Sequence, residues 1–176
     1  MQISPRIPHA VVLDVSTFPL SQDFWSRSDR ESRRPFAPRF IAACTYNTRS
    51  RRYSEFRGDD MNDLLETIKA ADKIVTFNGL NFDFLVLEQH HGLDRGVGSR
   101  PSNVDLSRVV EERIGRVTTL DELVQLNLNE RKVHAGEFEH DPVDRTDAIA
   151  ACRSDVRQIY RLWMLFLADR LKFPSN

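Results

Sequence analysis

The sequence predicts a protein in which strands and helices share one core, α/β or α+β, and three observations carry that prediction. Ala10-Val11-Val12-Leu13-Asp14-Val15 is continuous, apolar and β-branched, the pattern of a buried strand. Lys73-Ile74-Val75-Thr76-Phe77 repeats the pattern, and Asn78-Gly79, the strongest turn signal in the chain, passes it into residues at helical spacing. Near the end, Ala148, Ile149, Cys152, Val156, Ile159, Tyr160, Trp163, Phe166 and Leu167 make the wide apolar face of one long helix, 147–171.

The elements follow in order. The first strand is expected to end at Asp14, with Ser16-Thr17-Phe18-Pro19 breaking it. A carboxylate that closes a hydrophobic strand is costly to bury unless something pairs with it. A turn-initiating Asp is the plain role for such a residue. Gln22 to Pro38 is polar and holds Arg27, Arg30, Arg33 and Arg34, with Phe24 and Trp25 among them and Arg39 beside them. It is long for a connection, and such loops are functional or disordered. Phe40 to Tyr46 reads as a second strand and Tyr53 to Phe56 as a half-exposed third, joined by a polar turn into an antiparallel hairpin. Met61 to Ala71 is a helix with Leu64, Leu65 and Ile68 inside and Asp59 or Asp60 available to cap it.

The helix after Asn78-Gly79 is expected to bury Phe82, Leu85 and Val86 and to end at His90-His91-Gly92. Asp83 lies in its first turn, where a carboxylate complements the helix dipole. Gly96 to Pro101 reads as loop and Asn103 to Leu106 as a short extended piece, followed by a helix to about Arg113. A helix from Leu120 to Gln125 has Thr118 or Thr119 as its cap and Glu122 as the capping-box partner. Asn127 to Arg145 reads as loop.

Composition bounds the function classes. A chain of 176 residues with 40% hydrophobic and 29% charged residues suits one globular domain. The formal net charge of −1 does not by itself announce a polyanion partner. Only four of the 25 basic residues are Lys, and the rest are Arg. Phosphate recognition and a GC-rich genome both produce that bias. Cys44 and Cys152 form no disulfide framework or metal motif and read as small core residues. No run is long and apolar enough to span a membrane and no signal peptide is visible, so no membrane contact and a cytoplasmic location are expected.

Three acids stand apart from the ordinary surface charges: Asp14 ending a strand, Asp83 opening a helix and Asp155 beside the apolar face of the last helix. Acids far apart in sequence, each against apolar neighbours, are reconciled if they converge on a hard cation such as Mg²⁺ or Mn²⁺. Paired ions of that kind support in-line phosphodiester chemistry.

The order of these motifs resembles the DEDD 3′-5′ exonucleases of the ribonuclease H-like superfamily. Leu13-Asp14-Val15-Ser16-Thr17 resembles their first motif, Asn78-Gly79-Leu80-Asn81-Phe82-Asp83 their second, and Ala151-Cys152-Arg153-Ser154-Asp155-Val156 their third. Val104-Asp105-Leu106 resembles the hydrophobic-Asp-Leu segment between the last two. The resemblance spans roughly residues 10–165. It implies a ribonuclease H-like fold whose mixed central sheet has three antiparallel strands and then parallel ones, flanked by helices. It implies that Asp14, Asp83 and Asp155 hold a two-metal Mg²⁺ or Mn²⁺ site. It also implies that Asn78, Phe82, Ser16 and Thr17 shape a groove for a single-stranded nucleic-acid 3′ end. Two positions depart from the family: Ser16 stands where it has Glu, and Ala151 (or Ala150, for the variant with His) stands where it has the residue that orients the attacking water. The expectation is therefore an exonuclease of weakened activity. The alternative is an inactive module that binds nucleic acid or a protein partner, with Arg27 to Arg39, Phe24 and Trp25 as its working surface.

Overall fold

The structure is a computed structural model, and it describes residues 9–18, 39–98, 100, 102–131 and 145–175. The Arg-rich segment 22–38 and the late loop from 132 lie outside the described residues, as do Glu31, Glu137 and Glu139, the glutamates that composition offers in place of the one Ser16 replaces.

Five strands form one sheet in the order β3-β2-β1-β4-β5, with β1 Ala10–Phe18, β2 Arg39–Asn47, β3 Arg52–Phe56, β4 Lys73–Thr76 and β5 Val104–Asp105. β1, β2 and β3 pair antiparallel, and β4 and β5 add parallel to β1. This is the mixed sheet expected from the sequence, three antiparallel strands followed by parallel ones.

Alternation along the strands sorts the side chains between two helical layers. Val11, Leu13 and Ile74 face α1 (Met61–Ala70), α2 (Asp83–His91) and α3 (Arg95–Gly98), where Leu64, Ile68, Phe84, Leu87 and Val97 meet them. Ala10, Val12, Cys44 and Val75 face α4 (Leu106–Ile114), α5 (Leu120–Leu128) and α6 (Arg145–Leu167), against Leu106, Leu123, Val156, Ile159 and Trp163. Cys44 and Cys152 are both fully buried and free, as small core residues. No helix among the described residues is long and apolar enough to cross a membrane.

Several expectations are corrected. β1 does not stop at Asp14 but runs to Phe18, because β2 goes on pairing with it as far as Phe18↔Arg39. A bulge between Ser16 and Thr17 takes up the irregularity there. In α2 the buried residues are Asp83, Phe84, Val86 and Leu87, while Leu85 is exposed. Phe82 is the non-helical cap residue, so the helix starts one position later than the spacing suggested and its inward face rotates accordingly. Asp60 does not cap α1 through its side chain; its carboxylate accepts from the Arg57 backbone N–H and closes a short 3₁₀ turn, Gly58–Asp60. Arg95–Gly98 is a short helix rather than loop. Thr119 caps α5 by accepting from the Glu122 N–H, but the Glu122 carboxylate is held by Arg116 and Thr118. The same helix continues past Gln125 to Leu128. α6 ends at Leu167, four residues short of the expected limit, and Leu167 itself is exposed.

Candidate functional site

The parallel pairing of β1 with β4 covers only Ala10↔Lys73 to Val12↔Val75. β4 ends at Thr76, so among the described residues no strand pairs with β1 beyond Val12 on that side, and the N–H groups that point there need other acceptors. Asp83 supplies one: its Oδ1 accepts from the Val15 N–H at 2.7 Å. This contact joins the second predicted motif to the first across 68 residues.

The turn that delivers Asp83 is tightly specified. Asn78 has a φ of 61°, in the left-handed region that Asn tolerates better than most residues. Gly79 is needed for a close approach: a Cβ there would lie 2.5 Å from both Cβ and Oγ1 of Thr76. The Gly79 carbonyl then accepts from the Phe82 and Phe84 N–H groups at 3.3 and 3.0 Å, which winds the chain into α2.

Asp105 holds this turn from the neighbouring strand. Its Oδ1 accepts from the Asn78 N–H at 2.8 Å and its Oδ2 from the Leu80 N–H at 3.1 Å. Oδ1 also accepts from Ser107, from N–H at 3.1 Å and Oγ at 2.8 Å, capping α4. The sequence marked this residue only as part of a family-like segment. Its strand-Asp-x-Ser-helix setting is a cap signature that could have identified it.

Electrostatically, Asp83 is the strained member. Burial pushes its carboxyl well above the ordinary carboxylate range, and the negative charge of Asp14 pushes it further the same way. The Val15 N–H opposes this, and Asp105 adds to the upward push. Asp14 and Asp105 are thus each close enough for their charge to act on Asp83.

Asp14 pairs with Cys44 of β2 and, by alternation with Ala10 and Val12, lies on the α6 side of the sheet; it is half-buried. Cys152 of α6 donates its thiol to the Asp14 carbonyl at 3.2 Å, which fixes the crossing point of α6 over β1. Burial, contact with Cys44 and the Asp14 charge push the Cys152 thiol well up, so it stays protonated. Asp155 is 5% exposed and follows Cys152 by about one helical turn. Ser16 is half-buried, on the same side of β1 as Asp14, whereas Thr17 is fully buried. Asn78 and Phe82 are half-buried at the turn. Ala151 is buried and Ala150 exposed.

The donor chemistry beside the turn bears on a divalent cation in part. Two carboxylates raise each other's energy in a partly desolvated corner, a situation that a hard cation relieves. Among the described residues, however, no group of three His, Cys, Asp or Glu side chains is gathered as a metal-holding set.

The chain matches no protein-family model and no curated protein sequence. In structure it is similar to a family B DNA polymerase from the hyperthermophilic archaeon Pyrobaculum calidifontis, with a TM-score of 0.68 and 19% identity. The similarity covers 95% of this chain and 25% of the polymerase, so the chain spans about a quarter of that protein's length. At that identity the likeness is one of fold.

Proposed function

We propose that this chain is a nucleic-acid-processing domain of the ribonuclease H-like 3′-5′ exonuclease type, with an altered active site. The observation that carries the proposal is the docking of Asp83 on the Val15 N–H beside Asp14, produced by the Asn78-Gly79 turn where β1 runs past the end of β4. The fold likeness to a DNA polymerase supports a nucleic-acid partner in general. A single-stranded 3′ end is the specific substrate within that class.

Asp14, Asp83 and Asp155 would hold Mg²⁺ or Mn²⁺. A bound ion of this kind supplies a lowered pKa for the attacking water and stabilisation of charge on the transferring phosphoryl group. The chain's own contribution is positional. The Val15 N–H fixes one oxygen of Asp83, and Asp105 fixes the turn behind it. Asn78, Phe82 and Ser16 border the place where the strand end would lie, whereas Thr17 is fully buried beside them in β1. Ser16 provides no charge, and neither Ala150 nor Ala151 can orient water, an assignment worth roughly 10²–10⁴-fold in rate for general acid-base groups. Weak activity is the expected consequence.

A second reading is favoured by those same positions: a module that binds nucleic acid, or a protein partner, without cutting. Incubation of a 5′-labelled single-stranded oligonucleotide with Mn²⁺, Mg²⁺ or EDTA separates the two, with Asp14→Asn as control. A metal-dependent ladder that the control lacks supports the exonuclease. Retained binding without a ladder supports the nucleic-acid form of the second reading, and the absence of both cleavage and binding refutes every nucleic-acid reading and leaves a protein partner. Ser16→Glu with Ala151→Tyr should raise divalent-ion affinity in calorimetry; no change would remove the alignment of the first motif.

A further inference from the structure

The outer face of α6 carries Arg153, Arg157 and Arg161 at intervals of four residues, which places them in one row about 6 Å apart. Their side chains are 55%, 55% and 42% exposed. Beside the row, three half-buried tyrosines form a continuous aromatic strip. Tyr46 lies 4.7 Å from Tyr53 and 4.5 Å from Tyr160, centroid to centroid. The Arg153 guanidinium sits 5.2 Å from the Tyr53 ring centre. Arg51, in the hairpin turn, reaches far enough for its charge to act on Tyr160, and Arg157 acts likewise on Tyr53. Glu55 pairs with Arg153, and Glu130 is shared between Arg157 and Arg161. Among the described residues, two glutamates therefore face four arginines, on a chain whose formal net charge is −1.

The surface is set apart from the carboxylate site. α6 crosses β1 and β2 at Cys152, next to Asp14 and Cys44, and reaches Tyr46 only at Tyr160, about 12 Å further along by helix rise. Fixed, exposed guanidinium groups in a row suit a regularly charged polymer, and planar rings alongside them suit bases. An acidic peptide would satisfy the arginines but would leave the rings unused.

We propose that this arginine-tyrosine face, built from α6 and the β2–β3 hairpin, binds the phosphates and bases of a single-stranded nucleic acid. The inference does not depend on whether the carboxylates cut the strand. It therefore assigns a binding role to described residues that the sequence had placed in the segment 22–38.

The test is fluorescence anisotropy of a labelled oligothymidylate across a salt series in EDTA, where no hydrolysis interferes. Arg153→Gln with Arg157→Gln should weaken binding about tenfold and make the slope of log K against log salt about 1.4 less negative, the amount for two lost single-strand phosphate contacts. Arg51→Asn keeps a residue that tolerates the positive φ of 56° and disturbs nothing buried, so it guards against a folding artefact. It should weaken binding and flatten the slope by half as much. A role confined to holding α6 on the hairpin would lower the melting temperature and leave the slope unchanged, and that result overturns the proposal. Equal competition by polyglutamate of matched charge overturns it in favour of an acidic protein partner. Loss of cleavage in the separate nuclease assay bears on Asp14 and leaves this binding measurement intact.

Discussion

Asp105→Ala should be among the most damaging single substitutions on this surface of the protein. The carboxylate accepts four hydrogen bonds: from the Asn78 and Leu80 N–H groups and from the N–H and hydroxyl of Ser107. It is 7% exposed, so water does not replace it without rearrangement. Loss of the α4 cap is worth about 1 to 2 kcal/mol. Each turn amide left without its charged acceptor adds about 1 to 1.5 kcal/mol, so about 4 kcal/mol is expected in all. Asp105→Asn is the informative partner. Its oxygen can keep the Asn78 and Ser107 contacts, but its amide group replaces Oδ2 and sets a donor against the Leu80 N–H. It also removes a negative charge that acts on Asp83. About half the loss is expected from it. Urea unfolding measures both: with a slope of roughly 2 kcal/mol/M, the alanine midpoint should fall by about 2 M at unchanged slope. An alanine variant within about 1 kcal/mol of the parent would refute the view that this carboxylate carries the turn.

Three other outcomes follow from the same geometry. Asp83→Asn should raise stability at neutral pH, since the amide oxygen still accepts from Val15 while the buried charge is gone; because the folded carboxyl is raised, the parent loses stability as pH rises above 3.8, and the gap between the two proteins should close toward acid. Thermal melts showing a gap independent of pH would contradict that account. Gly79→Ala should destabilise by about 2 to 3 kcal/mol through overpacking, and Thr76→Ala should not rescue it, because the Thr76 Cβ itself would lie 2.5 Å from the new methyl; rescue would place the clash elsewhere. Glu122 is held by Arg116 and Thr118 with its pKa lowered from 4.5 to about 2, so its contribution is complete above pH 4.5 and is lost as pH falls toward 2. Glu122→Gln should abolish that part of the acid loss, and an unchanged acid limb of the unfolding profile would count against it.

The local patterns were readable because they rest on short-range chemistry. The apolar run of β1, the Asn78-Gly79 turn and the wide face of α6 each arise from neighbouring residues, and each forms, although β1 runs on to Phe18 and α6 stops at Leu167. The order of the elements gave only an α/β or α+β pattern, and the mixed sheet was anticipated through the family resemblance that the motifs carry. The core assignment of both cysteines was equally local.

What the sequence did not decide are the long-range partners. That β1 outruns β4, so that the Val15 N–H calls for an acceptor, is a property of pairing lengths in the assembled sheet. Asp83 reads as a helix-dipole residue in the chain and becomes a buried strand acceptor only in the fold. Asp105 joins two segments 27 residues apart, a relation that no local spacing encodes. The arginines of α6 were not singled out in the sequence, and they gather against the tyrosines only when the hairpin packs beside them. Composition and periodicity indicated most of the elements and the main apolar faces, though not the inward face of α2 or the short helix Arg95–Gly98. The tertiary structure alone decided which charges and open hydrogen-bonding groups meet, because those contacts depend on strand register and helix placement, set by the packing of the whole core.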